Sequence, residues 1–321
     1  MIKYCQIKLD FLKFTGNDRL DLINRLSTNY VNSLSRLNGI KTILTSDKGR
    51  FIDLLTLYNF GDFVFASCSF NNSQKVIEHL DKYTIMDDFK AEDMAGTHEV
   101  IFFTGDEAGA FAKEFFRADI TKLSNCDFEI FTEDGKDSIT ARNDDAFGGF
   151  LFIYASEDSE YYLNKTFDQA HKAKFSMKEL SPAEFEKERI ELGIPKAARE
   201  MTEDTNPLEC GLENYVSFTK GCYIGQEVIA RLDTYDKISK HLVGLKPENN
   251  LPDNFKSSGI KIFVDNKECG YVTSLVYSEN LGNIGLGFVK TAFLDYNKDY
   301  EIKAENSIKC RIVKLPFKNQ N

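Results

Sequence analysis

With 321 residues, 42% of them hydrophobic and 13% aromatic, the chain can bury a large core and is expected to divide into two or three domains. A net charge of −10 excludes a broadly basic surface, so direct nucleic-acid binding is not expected and any RNA contact would be a local patch of Lys and Arg. The opening MIKYCQIKLDFLKF has no apolar signal region, and no run approaches the roughly eighteen apolar residues of a membrane span, which gives the expectation of a cytoplasmic protein without membrane association.

In chain order, residues 2–14 read as a strand and residues 18–26 as a helix with Leu22, Ile23 and Leu26 inward. Strands at 41–45 and 51–58 flank the turn Ser46-Asp47-Lys48-Gly49, and Phe60-Gly61-Asp62 turns into a third strand at 63–69. A helix over 73–82 would bury Val76, Ile77 and Leu80. A strand at 99–103, a helix at 106–116 and weaker strands near 128–131 and 149–154 follow. Helices and strands alternate but hairpins are frequent, which predicts an α+β fold rather than a parallel α/β sheet.

Ser181-Pro182-Ala183-Glu184 reads as a capping box with proline at the first helical position, and Gly193 with Pro195 ends that helix. Phe185 and Leu192 should face inward, with Arg189 on or near the same side. From about residue 240, β-prone runs at 241–245, 260–264, 271–277, 284–289, 300–302 and 308–313 alternate with turn residues and predict a small antiparallel barrel. The boundary falls between Leu232 and Lys240, giving domains 1–236 and 237–321. No repeat or phosphate-binding Gly-rich loop is present.

The seven cysteines, at 5, 68, 126, 210, 222, 269 and 310, are scattered, without a CxxC and with no histidine at ligand spacing. A disulfide framework, a zinc site and a cluster held by this chain alone are therefore not expected. One thiol stands out. Lys220-Gly221-Cys222-Tyr223-Ile224-Gly225-Gln226-Glu227 places Cys222 between two glycines just before a segment whose Val228, Ile229 and Leu232 suit a helix starting near Gln226. Helix N-terminal amides, and Lys220 if its ammonium lies close, would favour a thiolate there. The competing reading is an inert, buried cysteine that only packs.

KGCYIGQEVIAR resembles the signature of the YgfZ family of folate-binding proteins, relatives of the glycine-cleavage T-protein, the tetrahydrofolate-dependent aminomethyltransferase. RIELGIPKAARE and NPLECGLENYVSFTKGCYIGQE follow that family in order and spacing. So do Gly16-Asn17-Asp18, Ser27-Thr28-Asn29, the LTSDKGRFIDLLTLY hairpin and Gly270-Tyr271-Val272-Thr273-Ser274. The resemblance covers nearly the whole chain, most loosely between residues 85 and 180.

It implies interleaved α+β subdomains around a central opening, closed by a C-terminal antiparallel β-barrel, with tetrahydrofolate or a derivative as ligand and no stable metal. It also implies a role in iron–sulfur cluster assembly or repair, particularly for 4Fe–4S enzymes, and in maturation of tRNA-modifying enzymes that depend on them. The partners would be folate and Fe–S proteins or assembly factors, the protein a monomer, and Cys222 with Lys220 the functional pair in a motif completed by Gly221, Tyr223, Gly225, Gln226 and Glu227.

The transferase carries two consecutive acids in the strand after its Gly-rich turn. Here they are Asp53 and Leu54, and a leucine can neither accept a proton nor hold a developing ammonium. Binding without classical turnover is therefore expected, the alternative being an aminomethyl- or methyltransferase of the T-protein type. By resemblance, Glu191 recognises the pterin, Arg189 and Asp53 belong to the same folate site, Tyr58 lines its wall, and Arg231 or Lys220 holds the glutamyl tail. The structural alternatives are a solvated Glu191, an ion pair of Arg231 with Asp233 or Glu227, a core Tyr58 and an Asp53 that caps or bonds the adjoining turn.

Overall fold

A computed structural model of the chain describes residues 1–173, 175–235, 237–248, 260–303 and 307–317; residue 236, where the sequence places its domain boundary, lies outside them. The chain forms two compact units, one of residues 1–46, 52–182 and 215–224, the other of residues 47–51, 183–214 and 225–321. The second unit therefore contains more than the barrel.

The first unit holds strands β1 (Ile2–Ile7), β2 (Leu9–Thr15), β3 (Gly39–Thr45), β4 (Phe51–Asn59), β5 (Val64–Ser69), β6 (Lys90–Asp93), β7 (His98–Thr104), β8 (Phe128–Glu133), β9 (Lys136–Arg142), β10 (Phe150–Ala155) and β11 (Met177–Glu179). Its helices are α1 (Arg19–Leu26), α2 (Ser73–Asp81), α3 (Ala108–Phe115) and α4 (Ser159–Lys172). One sheet runs β3-β4-β5-β2-β6 and the other β11-β1-β7-β10-β9-β8. The predicted strand at 2–14 is thus two strands, parting at exposed Lys8 so that each joins a different sheet.

Side-chain alternation explains why these strands read as nearly continuous apolar runs. Leu12, Phe14, Leu55, Leu57, Ala66 and Cys68 pack with α1 and α2, while their neighbours Phe11, Tyr58 and Phe65 point the other way. There they share a core with Val100, Ile139 and Ile153 of the second sheet. On that sheet's other face Ile101, Phe103, Phe150 and Phe152 pack with α3 and α4. Both sheets are covered on both faces.

The second unit holds α5 (Pro182–Glu191), α6 (Gln226–Thr234) and strands β12 (Lys240–Pro247), β13 (Lys261–Val264), β14 (Lys267–Ser278), β15 (Gly282–Lys290), β16 (Asp299–Lys303) and β17 (Ser307–Val313). The strands close as an antiparallel barrel in the order β12-β15-β14-β13-β16-β17. Its interior alternates along each strand, with Val243 and Leu245, Ile262 and Val264, and Ile308, Cys310 and Ile312 inward. Helix α5 stops where expected: Gly193 lies at φ +70° and its N–H donates to the Ile190 carbonyl. A side chain there would also meet Leu315 at 2.8 Å. Ile190 packs with Ile284, Leu286 and Phe317 at the barrel wall. The expected inward residues Phe185 and Leu192 are half-buried, and the buried set is Arg189, Ile190 and Glu191.

Candidate functional site

Cys222 lies on the segment 215–224, which has no regular structure beyond its first residue and is fastened to α1 and β3 by hydrogen bonds. Ser217 N donates to Thr28 O (2.9 Å) and Ile224 N to Arg25 O (2.9 Å). Thr28 Oγ1 donates to Tyr215 O (2.6 Å), and Thr45 Oγ1 to Ile224 O (2.8 Å). The Ile224 side chain packs against the core beneath α1 and α2. Gly225 then takes a left-handed conformation (φ 79°) at the cap of α6, so the helix begins at Gln226 as predicted. Gly221 has no such conformation, and a Cβ there would meet nothing within 4 Å. Only one of the two flanking glycines is required by the backbone.

Lys220 is buried, and its ammonium donates to the carbonyls of Asn24 (2.6 Å), Ser27 (2.7 Å) and Asn29 (2.6 Å). Two of these belong to the end of α1, where unpaired carbonyls carry the negative end of the helix dipole. The Tyr223 ring lies 5.0 Å from the same ammonium, and burial lifts the Tyr223 phenol to about 12. An ammonium has three N–H donors, and all three are used. The expectation that Lys220 supports the Cys222 thiolate, or holds a ligand tail, is thus replaced by a structural one: it fastens the loop to α1. Burial lowers its pKa to about 8, while the three carbonyls favour the charged form.

Cys222 is exposed and the six other thiols are buried. Burial pushes the Cys126 and Cys310 thiols up to about 12 and that of Cys269 to about 11. The competing reading of Cys222 as a packed, inert cysteine therefore fails on exposure. Gln226 is half-buried and Glu227 exposed in the first turn of α6.

The residues assigned by resemblance to a ligand fall into two groups. In the first unit, Asp53 is 4% exposed and accepts four hydrogen bonds: Leu54 N (2.8 Å) and Ser69 Oγ (2.6 Å) on one oxygen, Ser69 N (3.0 Å) and Asn72 Nδ2 (2.8 Å) on the other. Burial raises its pKa against these bonds. Asp53 thus bonds the distant turn between β5 and α2 rather than the adjoining turn. Tyr58 is fully buried and packs edge-on to Phe128 (5.5 Å), a core position in place of the expected pocket wall.

In the second unit, Arg189 is 3% exposed and spends all five N–H donors inside the protein. Its fork meets both oxygens of Glu186 (3.1 and 2.7 Å), and the remaining donors reach Ser274 Oγ (2.9 Å), Glu200 Oε2 (3.2 Å) and the Ile194 carbonyl. Direct ligand recognition by Arg189 is corrected accordingly. Glu191 is buried and accepts from Ser278 Oγ (2.7 Å), so it is not the solvated residue of the structural alternative, while Arg231 lies exposed in the last turn of α6.

Two clusters went unread in the sequence. Fully buried Glu200 accepts from Thr273 Oγ1 (2.6 Å) and Ser274 Oγ (2.7 Å) on one oxygen, and from Arg189 and Lys196 N (3.0 Å) on the other. The register shift between Val272 and Ser274 in β14 accompanies this, and the signal was the hydroxyl pair Thr273-Ser274 inside a barrel strand. The second cluster has the bonds of a capping box on the turn at 207–210: Asn206 Oδ1 accepts from Leu208 N and Glu209 N, and Glu209 accepts from Asn206 N. Asn206-Pro207-x-Glu209 carried that signal plainly. Among the described residues, no group of three or more His, Cys, Asp or Glu is gathered as metal ligands, and no helix is long and apolar enough to cross a membrane.

These features define an α+β protein closed by a six-stranded antiparallel barrel, with one exposed thiol on a fastened loop. The chain belongs to the glycine cleavage T-protein family: residues 8–220 match its GCVT N-terminal domain and residues 240–318 its glycine cleavage T-protein C-terminal barrel domain. A chloroplastic protein of Arabidopsis thaliana that carries the name of a transferase is 28% identical over 87% of this chain, which spans 63% of that protein's length. An aminomethyltransferase of Thermoanaerobacter pseudethanolicus is 24% identical over 95% of this chain and 83% of its own. The glycine cleavage system aminomethyltransferase T of Bartonella henselae superposes with a TM-score of 0.83 at 17% identity, covering 98% of this chain and 86% of its own, a likeness of fold.

Proposed function

We propose that this protein is a tetrahydrofolate-binding accessory protein of the YgfZ kind. It supports iron–sulfur cluster assembly or repair and the maturation of Fe–S-dependent tRNA-modifying enzymes, with Cys222 as its working thiol. The observation that carries this reading is Cys222 itself, exposed at the tip of a fastened loop while six other thiols are buried. Leu54, half-buried where the transferase pattern has its second acid, argues against one-carbon transfer. Folate comes to this chain from its family. Asp53, Arg189 and Lys220 have their polar groups filled by the protein, and Tyr58 is sealed in the core, so these four do not fit direct contact with the ligand. Arg231, exposed, keeps the assignment, and Glu191, buried and bonded to Ser278 Oγ, stands as Asp53 does.

In cells lacking the protein, the wild type should restore 4Fe–4S enzyme activity, and Cys222→Ala should fail to do so while binding tetrahydrofolate with unchanged affinity. Equal restoration by Cys222→Ala would sink the reading. An aminomethyltransferase is the second reading, favoured by the Thermoanaerobacter relative of that name, which matches almost the full chain. Transfer of a one-carbon unit from aminomethyl carrier protein to tetrahydrofolate at an enzymatic rate would establish it instead.

A further inference from the structure

The segment 215–224 belongs to the first unit, although the chain on either side of it belongs to the second. The segment itself forms no strand and, after Tyr215, no helix. Its place is made by the ties to α1 and β3 given above, and by one more set at its start. Tyr215 OH donates to Asp145 Oδ1 (2.7 Å), whose other oxygen pairs with Lys41 Nζ, and Lys41 also donates to Asn143 Oδ1 (3.2 Å). Lys41 and Asp145 are largely buried, with side chains 11% and 23% exposed. The Lys220 knot lies two residues before Cys222 and the Ile224 bonds two residues after it. Between them Tyr223 is buried, so only Gly221 and Cys222 stand out at the tip.

We propose that Lys220 and the Tyr215–Asp145–Lys41 group are positioning residues that hold the Cys222 loop in one conformation, with the thiol presented at its tip. This rests on the reading of Cys222 as the working thiol and adds how it is presented. A compact ammonium suits the Lys220 site because three carbonyls converge on one nitrogen. A planar guanidinium keeps the charge but splays its donors. That difference separates positioning from electrostatics.

The test compares Lys220→Arg and Lys220→Met in the full-length protein by two readouts: hydrogen exchange over 217–224, and iodoacetamide alkylation of Cys222 against pH. Positioning predicts that both variants speed exchange of the loop by about tenfold or more, the scale of one lost hydrogen bond to a charged group. It also predicts that Arg gives no rescue, and that the alkylation half-point stays within about 0.3 pH units of wild type, less than a direct ion partner would move it. A half-point raised by about one unit in Lys220→Met and restored in Lys220→Arg would show instead that charge acts on the sulfur, and overturns the proposal. So does unchanged exchange in both variants.

Tyr215→Phe, which removes a single oxygen, keeps the question answerable if Lys220 variants do not fold. Faster exchange over 217–224 is expected, and an unchanged rate would remove the Tyr215 group from the proposal. If Cys222→Ala restores Fe–S enzyme activity, the functional reading fails while these measurements still decide how the loop is held.

Discussion

Two buried cations come from the two runs that resemble a folate-binding family, and the protein uses them differently. Lys220, in the first unit, gathers three neutral carbonyls at the end of one helix and leaves an exposed thiol two residues away. Arg189, in the second, is locked between Glu186 and Glu200 and ends in nothing exposed. The ammonium satisfies a helix terminus that would otherwise be left unpaired. The guanidinium closes a network in which every donor meets an acceptor and both Glu200 oxygens are filled twice. A charged residue in a family-like run is thus no guide by itself to ligand contact: here one fastens a loop that exposes a thiol and the other holds α5 and its following loop on the barrel.

The largest effect should come from breaking the second network. In Glu200→Gln the amide must turn its NH2 either toward Arg189 and the Lys196 N–H, or toward the hydroxyls of Thr273 and Ser274, which must then reorient. The loss should be about 3 kcal/mol, read as a lowered denaturant midpoint, because bonds to a charged carboxylate are lost and a buried donor is left unmatched, while Arg189 keeps its pair with Glu186. Cys222→Ala should change stability by less than about 0.5 kcal/mol, as expected for an exposed side chain with few partners. A large loss there would mean the thiol is structural and would erase the contrast between the two regions. Asp53→Ala falls between them: it strands Ser69 N, Leu54 N and the Asn72 amide at about 2–3 kcal/mol in the same measurement.

The glycines flanking Cys222 sharpen the comparison at a smaller scale. Gly225→Ala should cost about 1–2 kcal/mol for its left-handed backbone. Gly221→Ala should cost less than about 0.5 kcal/mol, since its Cβ would point into open space. Any loss of Cys222 reactivity in Gly221→Ala would then reflect crowding at the thiol, read by alkylation rate at unchanged stability.

Much of this fold was legible in the sequence, for identifiable reasons. The barrel strands show alternation between Gly, Asn and Asp turns, so each of the six expected runs is a strand. Helix α4 was missed because its buried side, Tyr162, Thr166 and Ala170, is short of large apolar residues, and β9 because Ser138 and Thr140 are buried polar positions. The start of α6 could be read from Gly225 and the apolar spacing after it. The exposure of Cys222 could not, because the ties that hold its loop come from residues 24–45 and from Asp145, all distant in sequence. The role of Lys220 is hidden for a different reason. Its partners are backbone carbonyls, which any sequence supplies, so no residue type marked them.

The two cations are also separated by pH. Arginine stays charged throughout the accessible range. Burial places the Lys220 ammonium near 8 in the folded protein, against an ordinary value of 10.5. Below pH 8 both folded and unfolded chains carry the proton, and the cost of burying the charge is present in full. Between about pH 8 and 10.5 the unfolded chain still binds a proton that the folded one has released, so stability linked to this residue rises with pH. Above 10.5 both are neutral and the slope ends. Subtracting the denaturant stability of Lys220→Met from that of wild type at each pH should isolate that rise in the 8–10.5 window. A flat difference would mean that the three carbonyls hold the proton as firmly as water does, making Lys220 as constant a cation as Arg189 across that range.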